Sequence, residues 1–465
     1  MEVNDNPDSG SPEVLYLKEP KIYPREVSGR YDRLRKLAVF VLLGLYYFLP
    51  WMTWGDQQAV LFDLPARRFH VLGLEFWPQD FIYLALLLIC AGLTLFFFTA
   101  LAGRLWCGYA CPQTVWTEVF LWMERWVEGD RGKQMKLDKA PWSVNKLARK
   151  ATKQFLWIAF ALWTGFTFVG FFTPIRELGH SVLTLSLGGW ELFWGLFYSL
   201  ATYGNAGILR SQVCKYMCPY ARFQSAMFDH DTLTISYDAK RGEPRGGRRK
   251  DDDPAALGLG DCISCTLCVQ VCPTGIDIRD GLQYECIACA ACIDVCDQVM
   301  DKMGYEPGLI RYTTENALEG KKTRILRPRI LIYGSLLLVI LSGIFFSFGN
   351  KIPLRADLIR DRNMLFRDVG NGLVENIYKL KLINQDSVTH RYRVTAPDFS
   401  DIEIIVFPQP VLEAGQVGEF ALTLRAPADL GSGSIEVNIL FESVDNPEIS
   451  KLVDTRMLFP VDTGQ

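Results

Sequence analysis

Thirteen cysteines occur in this chain of 465 residues, and eight of them fall into two runs of the same spacing. CISCTLCVQVCP carries Cys262, Cys265, Cys268 and Cys272, followed by Pro273. CIACAACIDVC carries Cys286, Cys289, Cys292 and Cys296. The spacing C-x2-C-x2-C-x3-C is the one that holds a 4Fe–4S cubane through thiolates, with the fourth cysteine of each run serving the other cluster. The expected ligand sets are therefore Cys262, Cys265, Cys268 and Cys296 for one cluster, and Cys286, Cys289, Cys292 and Cys272 for the second. Zinc favours two separated pairs around one tetrahedral ion, which is a different pattern. Disulfides are disfavoured in a reducing compartment, where the flanking charges place this segment. Asp297 follows Cys296 where a proline is usual, a departure that bears on the potential of one cluster.

Four further cysteines repeat a second motif. GRLWCGYACPQTVW contains Cys107, Cys111 and Pro112, and LRSQVCKYMCPYARF contains Cys214, Cys218 and Pro219. Each is C-x3-C-P, preceded by an arginine (Arg104, Arg210), at the end of an apolar stretch. Cysteines at i and i+4 share a helix face. A following proline disfavours helix before it and suits the first turn of a new one. Cys111 and Cys218 are thus expected at kinks beside helix N-termini, whose dipoles favour thiolate. If the two copies face each other, Cys107, Cys111, Cys214 and Cys218 converge as four soft ligands for Cu(I), zinc or an iron–sulfur centre. Cys90, inside an apolar stretch, reads as packing.

The elements that must position these groups are mostly membrane-like. Net charge is −3, hydrophobic residues make up 49% of the chain, and there are 12 Trp; nothing suggests nucleic-acid binding. Five stretches are apolar and long enough to span a bilayer: Leu37–Gly55, Phe81–Gly103, Phe155–Ile175, Leu192–Leu209 and Ile330–Phe348. The fourth is the weakest, being short and carrying Asn205 and two glycines near its end. No cleavable signal peptide is expected in the polar first thirty residues. Basic residues flank alternate connections: Arg30 to Lys36 before the first span, Lys133 to Lys150 after the second, and Lys321 to Arg329 before the fifth. This predicts a cytoplasmic N-terminus and cluster region, and a periplasmic C-terminus, in a bacterial inner membrane.

From about residue 349 the pattern alternates with period two in six runs, beginning at Ile377, Arg391, Ile402, Gly418, Gly433 and Thr455. This predicts an immunoglobulin-like β-sandwich without cysteine and without a polar catalytic constellation. The predicted division is 1–36 as an N-terminal segment and 37–236 as a four-helix membrane domain with the duplicated motif. A charged linker at 237–260, a di-cluster domain at 261–310, a fifth span at 330–348 and a β-domain at 349–465 follow. His70, His180 and His230 are isolated and suggest no haem. The run from Arg241 reads as a solvated linker, and Glu118–Glu128 as an amphipathic interfacial helix.

Taken together, two C-x3-C-P motifs, the double cubane cassette, a fifth span and a β-domain resemble the cytochrome c oxidase accessory protein family called CcoG, FixG or RdxA. The likeness covers almost the whole chain, including YDAKRGEPRG from Tyr237. The membrane and cluster parts alone also resemble the NapH and NosR proteins. The fold this implies is a bundle of five transmembrane helices, a bacterial double 4Fe–4S ferredoxin-like domain and a C-terminal Ig-like β-sandwich. The activity it implies is reduction of Cu(II) to Cu(I) for assembly of a cbb-type cytochrome c oxidase, with Cys107, Cys111, Cys214 and Cys218 as copper ligands. It implies two 4Fe–4S clusters and copper as cofactors. The partners it implies are oxidase assembly factors, copper carriers and a cytoplasmic electron donor, with oligomeric state left open. Alternatives open at this point are a quinone-linked electron relay, a third iron centre at the C-x3-C-P cysteines, and an assembly scaffold.

Overall fold

The computed structural model describes residues 21–55, 57–254, 256–349, 352–361, 364–386 and 388–460. The chain divides into two compact units, one running to Leu341 and the other from Ser342.

In the first unit, α1 (Arg30–Phe48) continues through a 3-10 turn to Trp51 and leads into short antiparallel pieces. These are β1 (Thr53–Trp54) with β2 (Gln57–Gln58), and β3 (Val60–Asp63), β4 (Arg68–Val71) and β5 (Leu74–Phe76). Then come α2 (Phe81–Ala102), α3 (Leu105–Tyr109), α4 (Pro112–Glu128), α5 (Arg131–Lys139), α6 (Val144–Val169), α7 (Ile175–Leu183) and α8 (Gly189–Thr202). Among the described residues, three helices are long and apolar enough to cross a membrane: Arg30–Trp51, Phe81–Ala102 and a later one, Pro328–Gly349. Side chains such as Leu87, Leu88, Phe345 and Phe346 lie exposed on them, and only an apolar solvent satisfies such faces.

The sequence predicts five spans, and the structure corrects this to three helices of membrane-spanning length and composition among the described residues. The first half of α6 carries Lys146, Arg149, Lys150 and Lys153, so its apolar part begins only near Phe155. The α-helical part of α8 is 14 residues long and widens at Tyr203–Leu209 into a π-helical segment. These two helices pack as an antiparallel pair beside α1. A Cβ at Gly165 on α6 would lie 2.2 Å from Ser199 Oγ and 2.3 Å from the Gly195 carbonyl on α8, an approach only glycine permits.

A second π-helical turn (Val213–Met217) leads to α9 (Pro219–Ala226), β6 (Thr234–Tyr237) and the single turn α10 (Ala239–Gly242). The cluster region follows with α11 (Leu267–Val271), α12 (Ala291–Met303), β7 (Ile310–Thr313), which pairs antiparallel with β6, and α13 (Glu315–Leu318). This region gathers three membrane-helix ends. Asp294 of α12 accepts from the Tyr31 and Asp32 amides at the start of α1. Leu233 donates to the Leu101 carbonyl at the end of α2. Arg327, just before α14 (Pro328–Gly349), donates to the Ala100 carbonyl at 2.7 Å and pairs with Asp229.

The second unit is a sandwich of two antiparallel sheets. One orders β12 (Glu403–Phe407), β14 (Val417–Pro427), β10 (Leu373–Asn384) and β8 (Leu354–Arg360), with β9 (Arg367–Asp368) also on β10. The other orders β13 (Val411–Leu412), β11 (His390–Thr395), β15 (Ser434–Ser443) and β16 (Ser450–Leu458). Alternate residues, among them Leu380, Leu382, Leu422, Leu424, Ile439 and Phe441, are fully buried between the sheets, as the pleat requires. Tyr378 Oη donates to the Arg456 carbonyl and ties the two sheets together.

The close α6–α8 approach is testable by heating the detergent-solubilised protein. Gly165→Ala is expected to cost about 1–3 kcal/mol through overpacking. Gly92→Ala, whose Cβ meets nothing within 4 Å, should stay within about 0.5 kcal/mol of the parent.

Candidate functional site

The two cysteine runs fold into matching loops. In CISCTLC, Ser264 and Thr266 take φ of 52° and 57°; in CIACAAC, Ala288 and Ala290 take 54° and 60°. Four non-glycine residues in the left-handed region is an unusual concentration of backbone strain. Each loop turns twice in this way and then starts a helix, α11 or α12, on its second left-handed residue. Cys262, Cys265, Cys268 and Cys296 line one cavity. Cys272, Cys286, Cys289 and Cys292 line a second, which Cys268 also reaches. The two cavities therefore share Cys268 as a lining residue. Apolar side chains complete the linings, Ile263, Leu267 and Leu309 in the first and Ile235, Ile276 and Ile278 in the second. Eight sulfurs around two dry, adjacent cavities suit cubane clusters bound through thiolates.

The loop of the second cavity is held against the membrane half. Arg104 Nη1 donates to the Cys286 carbonyl at 3.4 Å, Tyr312 Oη to the Ala288 carbonyl at 2.7 Å, and Arg35 Nη1 to the Cys289 carbonyl. Gly108, next to Cys107, sits directly on this loop. A Cβ there would stand 2.7 Å from the Ala288 carbonyl oxygen and 2.8 Å from that of Ile287. The first C-x3-C-P turn is thus in backbone contact with the loop that carries Cys286 and Cys289.

Cys111 and Cys218 are the N-cap residues of α4 and α9, with Pro112 and Pro219 in the first helical turn. The thiolate expected from the helix dipole does not follow at Cys111, because burial raises its pKa despite amide hydrogen bonds from Thr114 and Gln113. Burial also pushes the Cys107 thiol up to about 12, with Cys111 adding to the effect, and Cys214 to about 11. Cys107 lies within electrostatic reach of Cys111 and Cys214, and Cys214 of Cys111 and Cys218. The four are a contiguous group, but among the described residues no three His, Cys, Asp or Glu side chains close on a single-ion position. The four-sulfur convergence expected from the duplication is looser than a cage.

An arginine does precede each motif, but Arg104 and Arg210 do not occupy equivalent places. The residue with φ 47° and ψ −113° in the second copy is Arg210 itself, and its counterpart in the first is Gly103, at 55° and −119°. This is the first central position of a type II′ turn, where glycine is usual. Arg210 is held there by hydrogen bonds from its Nε to the Gly207 carbonyl and from its Nη2 to Glu124. The β-domain also contains a polar constellation that the alternation hid: His390 Nε2 lies 2.8 Å from Asp386 and Nδ1 3.0 Å from Ser443 Oγ. Ser443 is fully buried, so the set braces β11 against β15 and presents no nucleophile. Of the isolated histidines, His230 meets Glu315 at the surface.

Sequence reasoning treated Arg35 only as a topology charge and passed over Tyr312, Gly108 and Gln224. Cys107 Sγ donates to Gln224 Oε1 at 3.4 Å. Alongside, a cavity of about 430 Å3 is bordered by both Cys214 and Cys289, with Glu124, Lys153 and Trp157 in its walls.

Paired cysteine cavities on a ferredoxin-type repeat, joined to membrane-length apolar helices, define a membrane protein that transfers electrons through iron–sulfur clusters. A family model described as a 4Fe–4S dicluster domain matches residues 209–315. A 4Fe–4S binding domain model matches 83–134. The model for the Ig-like fold at the C-terminus of FixG matches 344–460. The nitrogen fixation protein FixG of Rhizobium meliloti is 40% identical over 407 residues, covering 80% of this chain and 78% of that one. Proteins RdxB and RdxA of Cereibacter sphaeroides are 38% and 37% identical, covering 90% and 94% of this chain and 91% and 96% of theirs. A crystal structure of a FixG-related protein from Vibrio parahaemolyticus aligns at 29% identity and a TM-score of 0.21, covering 23% of this chain and 96% of that one. The chain belongs to the FixG/RdxA family.

With Cys107 and Cys214 raised by burial, both thiols are protonated at neutral pH, and a soft ion must displace those protons to bind. Affinity for Cu(I) should therefore climb with pH through the neutral range, by up to about tenfold per unit for each proton displaced. Competition against a chromophoric Cu(I) chelator reads this directly, and a pH-independent affinity would count against thiol ligation.

Proposed function

We propose that the protein accepts electrons singly from a soluble donor and delivers them to Cu(II) at the C-x3-C-P cysteines, releasing Cu(I) for assembly of a haem–copper oxidase of the cbb type. Cys262, Cys265, Cys268 and Cys296 would hold one cluster, and Cys286, Cys289, Cys292 and Cys272 the other; each, when bound, supplies a one-electron couple. The observation that carries the reading is the seating of Gly108, the residue after Cys107, on the Ile287 and Ala288 carbonyls of the loop that carries Cys286 and Cys289. Cys265 is exposed and marks the side a donor can approach. One electron per Cu(II) matches one-electron donors, and thiols favour the reduced ion.

The flanking charges support a cytoplasmic N-terminus and cluster region and a periplasmic C-terminal domain in a bacterial inner membrane. A copper carrier and oxidase assembly factors are the partners this role requires.

A second reading has its own support: the 4Fe–4S binding match over 83–134 includes Cys107 and Cys111, consistent with a further iron centre there. Anaerobic purification with metal counting separates the two. About eight irons per chain, the content of two cubanes, with added Cu(II) recovered as Cu(I) while visible cluster absorbance changes, supports cupric reduction. Ten or more irons without copper uptake favours the additional iron centre. Cys107→Ser with Cys214→Ser should abolish cupric reduction and leave the iron near eight; undiminished reduction in this double variant would exclude copper from these cysteines.

A further inference from the structure

Arg104 stands where three parts of the molecule meet. Its side chain is almost wholly enclosed, with the residue 5% exposed. Nη2 donates to the Ala221 carbonyl on α9, just past Cys218 and Pro219, and Nη1 to the Cys286 carbonyl. No carboxylate among the described residues pairs with it, and its buried Nε–H has no partner among them. Gln224 is fully buried beside it; its oxygen takes the Cys107 thiol, while its Nε2 lacks a partner at hydrogen-bonding geometry. Cys107, Cys214 and Cys286 all feel the Arg104 charge.

Burying a cation without a counter-anion is costly, and so is leaving a buried N–H unpaired. Both costs vanish if the missing partner is anionic sulfur, the one acceptor class this neighbourhood offers in quantity. Arg210 supplies the contrast. Its guanidinium is paired with Glu124 at 2.7 Å and rests over Trp157, so it already has its counter-anion.

We propose that Arg104 is a positioning residue that compensates the charge of the thiolate-bound centre at Cys272, Cys286, Cys289 and Cys292, with its Nε–H held for anionic sulfur. A fixed cation and an N–H donor at a cluster both favour the reduced state and raise its potential. The inference rests on the cluster assignment above.

The test is an EPR-monitored redox titration of the anaerobically purified, cluster-loaded protein, with pulsed EPR on protein carrying 15N-arginine. In the parent protein the reduced cluster should show a weak 15N coupling. Arg104→Gln is expected to lower one cluster potential while iron stays near eight per chain. Arg104→Lys should recover much of the potential but lose the coupling, and Arg210→Gln should leave the potential unchanged. Unaltered potentials in Arg104→Gln, or equal shifts in Arg104→Gln and Arg210→Gln, would overturn the proposal. If Arg104→Gln loses its iron, the labelled parent decides: an absent 15N coupling overturns it. A parent protein with no reduced-cluster signal would instead overturn the cluster assignment itself.

Discussion

A loop that wraps a cluster cannot pair its own backbone, so its carbonyls must find donors elsewhere. At the second cavity those donors come from outside the ferredoxin-type repeat. The Cys286 carbonyl takes Arg104, Ala288 takes Tyr312, and Cys289 takes Arg35. Two of these three arginines and tyrosines belong to the membrane half. The strained turns at Ala288 and Ala290 are therefore held in shape by the same contacts that fasten the cluster region to the helices. Redox site and docking seam are one structure.

The seam is reinforced by a charged layer at the same end of the helices. Glu124 and Glu128 of α4 are almost completely buried, yet each is answered by cations. Lys153 reaches both at 3.3 and 2.9 Å, Arg210 reaches Glu124 and Lys150 reaches Glu128 at 3.0 Å. Losing one partner from such a set leaves a buried charge uncompensated, which costs several kcal/mol, about 3–5. Glu124 thereby fixes Arg210, and Arg210 fixes the turn that delivers Cys214.

Much of this was legible from spacing alone. The cysteine runs name the eight cysteines that line the two cavities, and C-x3-C-P places Cys111 and Cys218 as helix caps, because proline chemistry acts within a few residues. The alternation from Ile377 onward likewise maps onto long strands, while the short β9 and β13 carried too little pattern to register and the seven-residue β8 was missed as well. What failed depended on distant partners. The basic half of α6 binds Glu124 and Glu128, which no hydropathy window can see, and so the span count was too high. Arg104 and Arg210 both precede their motif but differ by one residue relative to their cysteines, enough to put one against the Ala221 and Cys286 carbonyls and the other against a carboxylate. Whether a thiol is raised by burial or lowered by a dipole likewise depends on neighbours that are far off in sequence.

The cap on α1 has a temporal side. Its first amides are satisfied by Asp294, which lies 262 residues later than Asp32 in the chain. At ribosomal speeds of about 5–20 residues per second, that carboxylate is synthesised roughly 13–50 seconds after the helix it completes. During that interval the leading helix sits in the bilayer with its N-terminal turn open to water. The first helix thus receives its N-terminal acceptor only once α12 has been made, and a chain interrupted before α12 would lack it.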